Sequence, residues 1–359
     1  MRCHEKETKL PKVTVIIPVY NSAEFISDCL ESVLQQSYKN LEIIIINDGS
    51  TDNSEKIIEN YLKDKRIKYL SQSNRGPAEA RNAGIKFASG EYLVFIDADD
   101  TIEQHYIESL LVKIYISKSD LVCSGYIDLS EYGIKKHIDF EIGEQTSVHD
   151  FAEMVCQGTG GVLWSKIFKK EIIIKHNLQL DKDLYMSEDL VFVLRYASHC
   201  ESFSMINEFL YKYNRLNQNS ISSNVSIHYL ENYINVCSRI EKILTEIKLS
   251  DEKITGIINK RMQETLLQLV IGESINLDKT GLDIPVQNIK RIYNNQVIQM
   301  HIESFRTQKI IYKPLIMLIK RQNFKLGIFY SFSLNKIIKF KKNLLNGWIS
   351  YETKTTLRN

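Results

Sequence analysis

The chain has 359 residues, enough for about two domains or for one large α/β domain with an appendage. With 43% hydrophobic and 25% charged residues, 15 Gly and only 5 Pro, it is excluded from the disordered, collagen-like and disulfide-stapled classes. The formal charge of +2 conceals an asymmetry: residues 304–359 carry +11 and residues 1–303 carry −9, and from Ser304 to Tyr351 there are ten Lys or Arg and no Asp or Glu. An acidic body with a basic tail points to an anionic surface or polymer near the C-terminus. Cys3, Cys29, Cys123, Cys156, Cys200 and Cys237 are dispersed, with no C-x-x-C and no zinc-like pairing with His, which suits a reducing compartment. The N-terminal MRCHEKETKLPK has no apolar run, and no stretch approaches the roughly 18 apolar residues of a membrane span, so neither a secretory signal nor a transmembrane segment is expected.

Lys12 to Pro18 (KVTVIIP) is β-branched and almost wholly apolar, which predicts a strand buried on both faces of a parallel sheet. Asn21 then reads as the N-cap of an amphipathic helix over about 22–36, with Phe25, Ile26, Cys29, Leu30, Val33 and Leu34 on one face. Leu41 to Ile46 is a second buried strand, followed by a turn over Asn47 to Thr51 and a second helix marked by Ile57, Ile58, Tyr61 and Leu62. A short strand from Arg66 to Leu70 follows, and Gly76-Pro77 opens a helix with Pro at its first position. Glu91 to Ile96 is a strand running into Asp97-Ala98-Asp99-Asp100. Strands alternating with helices predict βαβ units with right-handed crossovers. A helix near 103–117 and a strand over Asp120 to Ile127 come next, Ser147 and Asp150 make a capping-box-like start for a helix through Cys156, and from about 226 onward the pattern is mostly helical.

In open α/β sheets ligands bind outside the carboxyl ends of the strands, and here those ends carry carboxylates. The first strand ends in Pro18-Val19-Tyr20-Asn21, the second in Asn47-Asp48-Gly49-Ser50-Thr51-Asp52 and the fourth in Asp97-Ala98-Asp99-Asp100. Crowded acids raise one another's pKa unless a cation stands among them, and Mg²⁺ or Mn²⁺ takes one or two carboxylates together with substrate phosphates. There is no G-x-x-x-x-G-K-[ST] and no G-x-G-x-x-G after the first strand, so a diphosphate is expected to be held through a metal rather than by a glycine cradle.

Seven segments in register, VTVIIPVYN (13–21), INDGSTDNS (46–54), NRGPAEARNAGI (74–85), FIDADD (95–100), LWSKIFKKE (163–171), SEDLVF (187–192) and YKYNR…NSIS (211–222), resemble those of family 2 glycosyltransferases of the GT-A fold, bacterial surface-polysaccharide type. The resemblance implies an α/β fold, a Rossmann-like, mostly parallel sheet flanked by helices, with a helical region after it. It implies that Asp48 reads the uracil edge of a UDP-sugar, with Pro18, Tyr20, Asn21 and Asp52 nearby, and that Arg75 and Arg81 lie beside the nucleotide and donor sugar. Asp97 and Asp99, around Ala98, would form the D-x-D, with Asp99 the direct metal ligand and Asp97 touching ribose or sugar. Asp189 would be the catalytic base, with Trp164 and Glu188 on the acceptor side and Arg215 near phosphate. Each residue also has an ordinary reading: turn chemistry for Asp48 and Asp52, first-turn helix acids for Glu188 and Asp189, a surface helix position for Arg81, and core packing for Trp164.

The expected organisation is an N-terminal tail (1–11), a nucleotide-sugar-binding catalytic domain (12–222), a helical subdomain (223–303) and a basic amphipathic segment (304–359). In that segment ten cations interleave with Leu315, Ile316, Leu318, Ile319, Leu326, Ile328, Phe329, Phe332, Ile337, Ile338, Phe340, Leu344, Leu345 and Trp348. Such a composition suits either a solvated helical face or an anchor on an anionic membrane. The expected activity is metal-dependent, inverting transfer of one sugar to a hydroxyl of a lipid-linked glycan in capsule or exopolysaccharide synthesis, at the cytoplasmic face of the plasma membrane. A homo-oligomer is compatible with this and nucleic acid is not an expected partner. There is no Q-x-x-R-W after Ser187-Glu188-Asp189, which argues for single-sugar rather than processive transfer. Two other classes stay open. A sugar-phosphate nucleotidyltransferase would carry a Gly-rich, Arg-containing loop where this chain has VYNSAEF, and a non-catalytic nucleotide-sugar-binding scaffold would release no UDP.

Overall fold

A computed structural model describes residues 10–131, 133–140, 143, 146–157, 160–184, 186–217, 227–275, 277, 281–307 and 309–337. The chain divides into two compact units, one made of residues up to 223 with 239–250, the other of 224–238 with residues from 251 onward. Residues 219–222 of the last motif and residues 338–359 of the basic segment lie outside the described residues.

The first unit begins as an alternation of strands and helices: β1 (Val13–Val19), α1 (Ile26–Leu34), β2 (Leu41–Asp48), α2 (Ser54–Glu59), β3 (Ile67–Gln72), α3 (Pro77–Phe87) and β4 (Tyr92–Phe95). It continues with β5 (Thr101–Ile102), α4 (Tyr106–Ser117), β6 (Leu121–Ser130), β7 (Gly133–His137), α5 (Val148–Gln157), β8 (Lys166–Lys169), α6 (Lys170–Lys175), α7 (Glu188–Ala197) and β9 (Phe203–Asn214). The strand order is β3-β2-β1-β4-β8-β6-β9-β5, with β7 paired to β6. From β3 to β4 all pairs are parallel. Beyond β4 the sheet is mixed: β8 runs antiparallel to both β4 and β6, β6 and β9 are parallel, and β5 closes antiparallel on β9.

The apolar runs read in β1 and β2 are buried as expected, with Val13 to Ile17 of β1 and Ile43 to Ile46 of β2 fully enclosed between helices. At β1 the chain order reverses, because β2 lies on one side and β4 on the other, and the crevice at their carboxyl ends is the position where such sheets bind ligands. α3 lies close over this region because Gly84 faces Ile16 and Ile46, where a Cβ would stand 2.4 Å from the Cγ2 of Ile16. Gly76, at φ 88°, turns the chain into α3, and Pro77 occupies its first turn. Ser147 and Asp150 cap α5 reciprocally, with Ser147 N donating to Asp150 and Asp150 N to Ser147 Oγ.

One cap is reassigned. α1 begins at Ile26, four residues later than the pattern predicts, and Asn21 does not cap it. Asn21 sits in the left-handed region (φ 48°), which a short amide side chain tolerates, and its Oδ1 accepts from Thr51 N at 2.7 Å. The residue therefore ties the end of β1 to the end of β2.

The second unit is helical among its described residues. It holds the start of α8 (Ile227–Glu246), then α9 (Asp251–Ile275), α10 (Asp283–Tyr293), α11 (Gln296–His301), α12 (Lys313–Lys320) and a helix over 324–337. Among the described residues no helix is long and apolar enough to cross a membrane.

Candidate active site

At the carboxyl ends of β1, β2 and β4 lies a cleft of about 580 Å³ whose lining includes Pro18, Tyr20, Asp48, Arg75, Arg81, Asp97, Ala98, Asp99, Lys182 and Asn217. Eight of the residues expected to bind donor or metal thus meet in one place, although they come from segments far apart in sequence. Tyr20 is half exposed at the rim. A larger groove of about 1060 Å³ runs behind α3 and shares Arg75 and Lys182 with the cleft; its acids are Glu79, Asp181 and Asp183, and Asp48, Asp97 and Asp99 do not line it.

Arg81 organises the centre. Its guanidinium, only 11% exposed, donates to Asp97 Oδ1 at 2.7 Å and to Glu188 Oε1 at 2.9 Å. Burial disfavours the charge, yet the carboxylates of Asp97, Glu188 and Asp189 raise its pKa above the ordinary arginine value. The surface-helix reading of Arg81 is therefore set aside, because the helix carrying it packs on the sheet and aims the residue inward. Glu188, expected on the acceptor side, is itself buried against Arg81, so it holds the arginine rather than facing an open surface.

Asp99 and Asp100 show the crowding expected of these acids. Burial, then the neighbouring Asp97 charge, pushes Asp99 up, opposed by a hydrogen bond from Asn217 Nδ2 at 2.9 Å. Burial and the Asp97 and Asp99 charges push Asp100 well above the carboxylate range, while Tyr211 Oη (2.6 Å) and Asn214 N (2.7 Å) donate to it. Asp100 is thus a buried anchor of the turn and Asp99 its cleft-facing acid. A divalent cation fits here: Asp99 is destabilised as an anion by Asp97, and a cation between the pair and a diphosphate would remove that penalty. Among the described residues no group of three or more His, Cys, Asp or Glu is placed to hold a metal.

Asp189 begins α7 beside Glu188 and accepts from Leu190 N at 2.8 Å. Burial, reinforced by the Glu188 charge and opposed by Arg81, raises its pKa to about 7. A first-turn acid at an exposed helix end would be moved in the other direction by the helix dipole.

Three expected residues have positions that their motifs do not reveal. Asp48 lines the cleft but accepts from Gln72 Nε2 (2.7 Å), Arg75 N (2.9 Å) and Gly76 N (2.8 Å), and so organises the loop into α3. With two donors on Oδ1 and one on Oδ2, one acceptor position remains for a ligand. Asp52 is turned away from the cleft: it accepts from Ala23 N and from Ser54 N and Oγ, and although burial opposes the charge these bonds lower its pKa. Trp164 is a core residue, stacked on Tyr211 (4.8 Å, 9°) and Tyr213 (5.0 Å, 25°) with 6% of its surface exposed. The acceptor-platform reading gives way to packing, because an indole between two tyrosines has no open face. Its contribution reaches the site through Tyr211, whose hydroxyl holds Asp100 and accepts from Asp97 N at 3.2 Å. Arg215 pairs with Asp128 at 3.3 Å.

Lys182 and Asn217 are cleft residues that sequence reasoning missed. The signal for Asn217 was its place two residues after the YKYNR segment; Lys182 sits in the irregular stretch between α6 and α7, where nothing in one sequence marks it.

The sequence model described as Glycosyl transferase family 2 matches residues 14–159. YibD of Escherichia coli, named a glycosyltransferase, is 31% identical over 245 residues, covering 65% of this chain and 71% of YibD. The glycosyltransferase GlyA of Streptococcus pneumoniae is 29% identical over 300 residues, covering 79% of this chain but only 41% of GlyA. The chain belongs to glycosyltransferase family 2. Its fold is shared with S. aureus TarS crystallised with UDP-GlcNAc, at a TM-score of 0.65 and 17% identity, over 90% of this chain and 92% of that one. It is a GT-A fold, and the chain spans about 40–60% of the length of several of the relatives it matches.

Proposed function

We propose that the protein transfers a single sugar from a UDP-sugar to a hydroxyl group of a glycan acceptor, with inversion at the anomeric carbon and with Mn²⁺ or Mg²⁺ as cofactor. The observation that carries this reading is the meeting of Tyr20, Asp48, Arg81, Asp97 and Asp99 in one cleft, with a carboxylate of pKa about 7, Asp189, close enough to feel the charges of Arg81 and Asp97. The likeness to TarS, which binds UDP and UDP-GlcNAc, supports a uridine donor.

In this reading the remaining acceptor position of Asp48 takes the uracil N–H, Tyr20 covers the base, and Arg75 and Lys182 stand at the phosphate end. Asp97, oriented by Arg81, accepts from a ribose or sugar hydroxyl. Asp189 takes the proton from the acceptor hydroxyl as its oxygen forms the new bond to the anomeric carbon, and the bond from that carbon to the phosphate oxygen breaks with its electron pair leaving on UDP. Attack from the face opposite the leaving group inverts the centre. A divalent ion held by Asp99 and Asp97 would supply charge compensation for the leaving diphosphate. The basic C-terminal segment supports a lipid-linked acceptor at the cytoplasmic face of the plasma membrane, as in capsule or exopolysaccharide assembly.

The test is calorimetric binding of UDP with and without Mn²⁺, to the wild type and to Asp99→Asn, followed by UDP release from a panel of UDP-sugars. Metal-dependent binding that Asp99→Asn weakens at least tenfold is expected. Folded protein that binds GDP, CDP or dTDP in preference to UDP would overturn the uracil assignment, and release of pyrophosphate from a sugar phosphate and a nucleoside triphosphate would make it a nucleotidyltransferase.

A further inference from the structure

We propose that residues 309–337 form a face that docks on an anionic lipid surface, with Ile310, Ile311, Met317, Leu326, Phe329 and Ile337 entering the apolar layer and the lysines around them meeting the headgroups. The inference deepens the reading of a lipid-linked acceptor, but the observations behind it are independent of the cleft.

The structure divides the apolar residues of this segment into two sets. Leu315, Ile316, Ile319, Phe324 and Ile328 are buried, each 6% exposed or less, and belong to the core of the second unit. Of these, Leu315, Ile316, Ile319 and Ile328 are therefore withdrawn from the membrane-facing set that the sequence pattern suggested. The other set is open: Ile310 is 77% exposed, Leu326 52% and Ile337 54%, with Ile311, Met317 and Phe329 between 45% and 47%.

The open set follows helical faces. Along the helix over 324–337, Leu326, Phe329, Ser333 and Ile337 are spaced by three, four and four residues, all exposed, and exposed Lys325 and Lys336 border the stripe. Lys336 Nζ lies 4.1 Å from the centre of the Phe332 ring, so this cation rests on the apolar surface rather than away from it. On α12 Met317 shares a line with exposed Lys313 and Arg321, four residues before and after it. The turn carrying Ile310 and Ile311 is held against the 324–337 helix by a hydrogen bond of 2.7 Å from Tyr330 Oη to Ile311 O. Among the described residues no carboxylate lies within this segment or pairs with its cations.

Charge and apolarity together select the occupant. A nucleic acid would answer the cations but leave aliphatic side chains in water, and a second copy would answer the side chains but place like charges opposite one another. An anionic bilayer surface satisfies both, since interfacial binding combines buried apolar area with attraction of Lys and Arg to acidic headgroups.

The experiment is co-sedimentation of the full chain with phosphatidylcholine vesicles, with and without phosphatidylglycerol, for the wild type, Lys325→Gln/Lys336→Gln and Leu326→Ser/Phe329→Ser. UDP binding by each variant reports that the first unit is intact, and circular dichroism reports the helices. Wild-type binding is expected to require phosphatidylglycerol and to weaken with salt. The lysine pair is expected to lower the partition coefficient about 25-fold, and the apolar pair about tenfold or more. Wild-type protein that stays in solution with phosphatidylglycerol vesicles, or folded variants that bind as the wild type does, would overturn the assignment. So would concentration-dependent self-association abolished by the apolar pair without any vesicle binding, which would give the face to a second copy. Vesicle binding by a protein that binds no UDP would sink the catalytic reading and leave this one standing.

Discussion

Arg81 is the residue on which the site turns, because it pairs with two acids from different parts of the chain, the partly exposed Asp97 and the buried Glu188. Arg81→Met is expected to destabilise the protein by about 3–5 kcal/mol, the cost of leaving Glu188 buried without its partner, measured by urea denaturation. Asp189→Asn should have the opposite character. With Asp189 as the proposed base, turnover is expected to fall by about 10²–10⁴-fold, while UDP affinity holds. The raised pKa of Asp189 also sets the pH behaviour. The folded state keeps a proton that the unfolded chain releases near 3.8, so the group's stabilising contribution is present below that pH and is lost as pH rises to about 7. At pH 8 Asp189→Asn is therefore expected to melt at or above the wild-type temperature, and the kcat/KM of the wild type for the acceptor to rise with pH through about 7.

The motif signal at this scale was a signal of presence. Asp48, Asp97, Asp99 and Asp189 could be picked from their segments, but whether a carboxylate faces a ligand or a backbone N–H depends on which strand end lies opposite. Asp52 and Trp164 show the difference: one is consumed by Ala23 and Ser54, the other by two tyrosines.

At the scale of elements, two contacts hold α3 and the sheet in the position that carries Arg81. Gly84 allows α3 to approach β1 and β2, and Gly84→Ala is expected to cost about 1–3 kcal/mol and to weaken UDP binding as Arg81 is displaced, both read from thermal melts with and without UDP. Below α3, buried Glu42 of β2 gathers Thr14 of β1, Lys68 of β3 and Ser89 of the turn before β4. Burial alone would raise its pKa, but the hydrogen bonds from Lys68, Thr14 and Ser89 hold it at about 2. Its contribution is fully present above the unfolded value of 4.5 and is lost as pH falls toward 2. Glu42→Gln should lower stability at pH 7 by about 2–3 kcal/mol and leave a smaller difference at pH 3.

Strand and helix identities up to β4 were legible because buried parallel strands are continuous apolar runs and their helices are amphipathic. The mixed half was not: β5 is two residues long, and β9 is partly exposed and alternates irregularly, so pairing partners supply the pattern that the residues themselves lack.

At the scale of the whole molecule, ligand binding should act on one unit of two. Heating the full chain is expected to give two transitions, of which UDP with Mn²⁺ raises one, by about 2.7 kcal/mol at a hundredfold excess over Kd. A single transition that shifts as a whole would mean that the units unfold together.

What the sequence determined by itself was the family, the parallel first half of the sheet and the inventory of acids and arginines, because local periodicity and short motifs are carried by neighbouring residues. It also placed the charge asymmetry at the C-terminus. Only the tertiary structure decided that Arg81 bridges Asp97 and Glu188, that Trp164 is enclosed, and which apolar residues between 309 and 337 are core and which are open. Those outcomes depend on what lies across space from each side chain. Burial and pairing are properties of contacts between distant segments, and no spacing along the chain encodes them.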